Sequence, residues 1–176
     1  MFTGETISSL GSGEVWHFFD KQLEYPVSLF NVSDYSRINW KELDVLIMPS
    51  GNYRFLQDKA QSAALQQWIM GGGRLIALES AVAQLATQDW TALKIRKDES
   101  NEEELKKNPY LPLKIYGDRE KESITQYTPG SIYRVEADST HPLMFGFPGY
   151  YYTLKMDDVV YDYIKAGGWN AGIIKK

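Results

Sequence analysis

The chain has 176 residues, 43% hydrophobic and 24% charged, the make-up of one ordinary globular domain, residues 1–176, with a sizeable core. A formal net charge of -4 with 19 Lys and Arg leaves no basic face to neutralise a phosphate backbone, so no nucleic-acid partner is expected. No apolar run is long enough to span a bilayer, Met1-Phe2-Thr3-Gly4 is not a signal peptide, and the absence of cysteine excludes disulfides, thiolate metal sites and cysteine catalysis.

After Gly11-Ser12-Gly13, residues Val15, Trp16, Phe19 and Leu23 recur at helical spacing, with Ser12 as N-cap and Pro26 marking the far end. Val27 to Val32 reads as a strand. Asp44 to Pro49 is a near-continuous apolar run, as in a strand buried on both faces of a parallel sheet. Gly51-Asn52-Tyr53 turns, and a long helix follows from about Leu56 to Met70, stopped by Gly71-Gly72-Gly73. Leu75 to Leu78 is the next strand. This alternation predicts an open, doubly wound, mostly parallel α/β sheet with helices on both faces. Right-handed crossovers then align the carboxyl ends of the strands along one edge holding Thr3-Gly4-Glu5, Pro49 to Tyr53, and Glu79-Ser80.

Residues 98–108 carry a capping-box pattern, Ser100 with Glu103, and i,i+4 Glu-to-Lys pairs, the marks of a solvated surface helix. Strands are predicted at Ser131 to Val135, Tyr151 to Lys155 and Trp169 to Ile174. Only Met1-Phe2-Thr3 precede the first glycine, and the last strand runs into Lys175-Lys176, so the expectation is an excised piece of a longer protein.

Chemistry is expected at the strand-to-helix corner after Leu78. A serine nucleophile there needs a base, an orienting group, an oxyanion hole and the glycines of a G-x-S-x-G turn. Here Leu78 and Val82 occupy the glycine positions, and only His17 and His141 can act as base. The plainer reading makes Ser80 a helix N-cap, Glu79 a carboxylate satisfied by the helix amides, and His141-Pro142 the start of a helical turn. His17 and Asp20 share a helix face, but a catalytic zinc site needs three protein ligands, so no metal site is expected. G-S-G-E-V-W lacks the third glycine of a dinucleotide loop. Gly51, Asn52, Tyr53, Glu79 and Ser80 are the candidate ligand contacts, with Tyr150, Tyr151 and Tyr152 as further aromatic groups; such a mixture suits a peptide or a glycan.

D-V-L-I-M-P-S-G-N-Y, G-G-G-R-L-I-A-L-E-S-A and H-P-L-M-F-G-F-P together resemble the class I glutamine amidotransferase-like fold, which is flavodoxin-like. More narrowly, they resemble its non-catalytic version attached behind the catalytic domain of bacterial zinc carboxypeptidases. In catalytic relatives a Cys stands at the corner, where this chain has Ser80, or Glu79 after a shift of one; Leu143 stands where they carry the Glu of their triad. The resemblance therefore implies a vacant corner and a non-catalytic accessory domain. Its partner would be the peptidase domain of the same parent chain, which holds the zinc; this chain itself carries no cofactor. It also implies a secreted or periplasmic location.

Overall fold

A computed structural model of the chain describes residues 1–96, 106–108, 110, 113, 115–126 and 129–174. It divides into two compact units, Met1–Thr91 and Ala92–Lys176.

The first unit holds two short parallel pairs of strands. Strand β1 (Phe2–Thr3) pairs with β2 (Phe30–Asn31), and β3 (Val45–Met48) pairs with β4 (Arg74–Ala77). Helix α1 (Ser9–His17) follows β1. Its N-cap is Ser8, whose hydroxyl accepts from the Gly11 amide at 3.1 Å, so capping falls four residues before the predicted Ser12. A π-turn over Phe18–Gln22 extends α1. Helix α2 (Lys59–Met70) crosses from β3 to β4, capped by the Asp58 carboxylate on the Gln61 amide at 2.9 Å. Helix α3 (Ser80–Leu85) starts three residues after β4 ends.

The buried aromatic groups lock this unit together. Tyr35 stacks on Phe55 with centroids 3.9 Å apart, and Phe2 lies 5.9 Å from Tyr53 and 5.8 Å from Phe55. Leu46, Met48, Leu65, Trp68, Ala81 and Leu85 complete the core. Trp68 lies against the backbone of Gly73, where a side chain would collide with the indole, and its indole N–H donates to the Leu43 carbonyl at 2.8 Å. The glycine run therefore does more than stop α2.

The second unit contains helix α4 (Arg119–Gln126) and an antiparallel sheet of β5 (Ser131–Ala137), β6 (Tyr150–Lys155) and β7 (Gly172–Ile174), in the order β6-β5-β7. Alternation along β6 exposes Tyr150 and Tyr152 and half-buries Tyr151. The Arg134 guanidinium lies 4.3 Å over the Tyr150 ring.

The single doubly wound parallel sheet is therefore not present; the chain is mixed α/β, with three small, separate sheets among the described residues. The reasons are local. The Asn31 side chain accepts from the Ser33 amide at 3.0 Å and turns the chain into a 3-10 helix over Val32–Arg37, ending β2 after two residues. Gly4, at φ 123°, ends β1 as abruptly. Residues 131–174 pair as antiparallel neighbours and add no parallel strand. The helix predicted over 98–108 lies largely outside the described residues. Among those described, no helix is long and apolar enough to cross a membrane.

Candidate functional site

Parallel pairing puts Met48 beside Ala77, so β3 and β4 release their chains side by side. What leaves them is Pro49-Ser50-Gly51 on one strand and Leu78-Glu79-Ser80 on the other. The loop after β1 joins them: the Ser8 amide donates to the Ser50 carbonyl and the Asn52 amide to the Thr6 carbonyl, both at 2.8 Å. Gly51 is required at this crossing. An added Cβ would stand 2.7 Å from Ile7 Cδ1 and 2.9 Å from the Thr6 carbonyl oxygen.

Ser80 is committed to that crossing. Its hydroxyl accepts from the Gly51 amide at 2.8 Å, donates to the Gly51 carbonyl at 3.0 Å, and lies 2.9 Å from the Ser50 hydroxyl. It is the first residue of α3, not its cap. Gln84, one turn on, reinforces the same loop: its Nε2 donates to the Gly51 carbonyl at 2.6 Å and its Oε1 accepts from the Tyr53 amide at 2.8 Å. Sequence reasoning missed Gln84. The available signal was a lone amide four residues after Ser80 on a helix of otherwise small and apolar residues.

Glu79 holds the special backbone. It has φ 49° and ψ -121°, a conformation that suits glycine and strains other residues. This is the turn on which a nucleophile is raised in corners of this kind, so the strained position falls on Glu79, one residue before Ser80. The side chain makes no capping bond to α3 and is exposed, contrary to the expectation that the helix amides hold it.

Two clefts flank the corner. One, of about 490 Å³, has Val15, Phe18 and Phe19 of α1 and the π-turn on one side and Ile47, Ile76 and Leu78 on the other; Glu14, Glu79, Ser50 and Gly11 complete it. The second, of about 410 Å³, is more polar and is lined by Glu5, Thr6, Asn31, Val32, Ser33, Asn52 and Arg54. The candidate contacts are thus distributed. Asn52 opens on the polar cleft and Glu79 on the apolar one, while Ser80 and Gly51 hold the loops together. Tyr53 is 1% exposed, its hydroxyl donates to the Pro49 carbonyl at 2.5 Å, and burial pushes its pKa up.

The two histidines belong to different units. His17 is exposed at the end of α1. His141 belongs to the second unit, where its Nδ1 accepts from the Leu143 amide at 3.2 Å and its ring lies 6.2 Å from Trp169. Asp138, nearby in sequence, has its pKa lowered by the hydrogen bonds it accepts from Thr140. Among the described residues, no group of three or more His, Asp and Glu is placed to hold a metal ion. Comparison with protein-family models, curated proteins and solved structures gives no match to this chain.

Proposed function

We propose that this chain is a non-catalytic accessory domain that binds a ligand beside its strand-to-helix corner and serves a larger protein. One observation carries the reading. The strained position holds Glu79, whereas the only hydroxyl at the corner that sequence analysis offered as a nucleophile, Ser80, is engaged by both the amide and the carbonyl of Gly51. A serine nucleophile needs a base on its hydroxyl, and here that place is taken by backbone. The Glu79 carboxylate, free of a capping bond and open to a cleft, is arranged to meet a ligand.

The motif resemblance supplies the wider setting: the domain stands behind a secreted zinc carboxypeptidase, supporting or orienting the domain that holds the metal. The full gene tests this directly. A reading frame carrying a peptidase domain with its His-x-x-Glu zinc ligands upstream of this chain is the expected result, and a frame that starts and stops with these 176 residues overturns it. The absence of catalysis has its own test, labelling with a fluorophosphonate probe. No Ser80-dependent labelling is expected; labelling lost in Ser80→Ala would restore the hydrolase reading.

A further inference from the structure

We propose that the 490 Å³ cleft beside Glu79 takes a small organic cation, an ammonium or guanidinium carried on an apolar body. This deepens the binding role proposed above and rests on it.

The argument is one of charge and shape. Two carboxylates, Glu14 from α1 and Glu79 from the corner, line the cleft, and no Lys, Arg or His does. Among the described residues neither carboxylate has a cation within ion-pairing distance; the pairs formed there are Lys21–Asp20, Arg37–Asp34, Arg134–Glu136 and Lys155–Asp157. A cation in the cleft is attracted by both carboxylates. The remaining walls are apolar. Ile47, Ile76 and Leu78 offer aliphatic surface, and the π-turn after α1 presents Phe18 and Phe19. Phenyl faces attract cations and also bury the hydrocarbon that carries them. The volume is that of a small-molecule site.

Three observations converge on Glu79 in the lining of this cleft. Its backbone is strained, its carboxylate makes no bond to the helix it precedes, and the rest of its corner is fastened by Ser80 and Gln84. Strain concentrates where a side chain has to be presented in one direction. The cation comes either as a free amine or as the side chain of a basic peptide; the chemistry is the same, and the two sources are separated by experiment.

Isothermal titration calorimetry with phenethylammonium, 2-phenylethanol and 3-phenylpropionate distinguishes the cases. The ammonium should bind, the alcohol more weakly, and the carboxylate least. Glu79→Gln and Glu14→Gln should each weaken the ammonium about tenfold, the size of one charge-assisted contact, and leave the alcohol unchanged. Binding of the ammonium should also fall with added salt. Alcohol or carboxylate binding as tightly as ammonium overturns the cation assignment while leaving a binding cleft; failure of all three overturns both. For the source, acetyl-Leu-Arg-Leu-amide is compared with its Gln counterpart. A preference for the Arg peptide beyond that of free phenethylammonium identifies a peptide side chain as the occupant, and the reverse identifies the free amine.

Discussion

Replacing Glu79 with glycine should make the protein more stable. Glu79 sits at φ 49° and ψ -121°, and a non-glycine residue held in so sparsely populated a region costs about 1–3 kcal/mol. Glycine adopts it freely but enlarges the unfolded ensemble, at a cost of about 0.4–1 kcal/mol. The side chain lost is exposed and makes no capping bond, so it contributes little. The balance is a gain of about 1 kcal/mol. In a urea titration, with a slope of roughly 1–3 kcal/mol per molar, the midpoint should rise by about 0.3–1 M. Trp40, Trp68 and Trp90 pack in or against the core of the same unit and provide the fluorescence signal. Glu79→Ala and Glu79→Gln are the controls. Both keep the backbone penalty, and both should stay within about 0.5 kcal/mol of the parent. A glutamine variant weaker by about 1 kcal/mol would instead mean that the carboxylate is bonded to α3 after all, one charge-assisted bond being lost. A midpoint for Glu79→Gly at or below the parent's refutes the strain argument, as does an equal rise in Glu79→Ala.

Ser80→Ala should destabilise by about 1–2 kcal/mol, because it leaves the Gly51 amide without its partner in a half-buried loop; a variant as stable as the parent in the same titration would show that the hydroxyl is not structural. The buried tyrosines govern the alkaline limit. Burial raises the pKa of Tyr53 and of Tyr35 above the ordinary value, so each contributes stability that is complete below about pH 10 and declines as pH rises towards the folded-state pKa. Tyr53→Phe should therefore lower stability at neutral pH, by about 1 kcal/mol for the bond to Pro49, yet flatten the loss between roughly pH 10 and 11.5; an unchanged alkaline slope would refute this.

Much of the secondary structure was legible where hydrophobic pattern and punctuation agree. The run Asp44 to Pro49 contains β3, and Gly71-Gly72-Gly73 does end α2. Errors arose where one side chain redirected the backbone. Val27 to Val32 has strand composition, yet only Phe30–Asn31 join the ladder, and the Asn31 carboxamide captures the Ser33 amide and ends the strand there. Ser12 looked like a cap, but Ser8 lies where the loop from β1 enters α1. Short alternating elements carry no record of which strands pair, and β7 joins β5, not its chain neighbour β6. At the corner, residue identities pointed to Glu79 and Ser80. Their division of labour, one strained and open, the other fastened, depends on the close approach of Gly51, which no local pattern announces.

That fastening sets a clock. Loop amides open to water ordinarily exchange their hydrogens quickly, yet those of Gly51 and Tyr53 donate to side chains of α3, Ser80 and Gln84, across about thirty residues of sequence. Their exchange with deuterium therefore requires that the loop and α3 separate. Two amides outside any strand or helix thus report how often the corner comes apart, in the living time of the folded protein and without unfolding it.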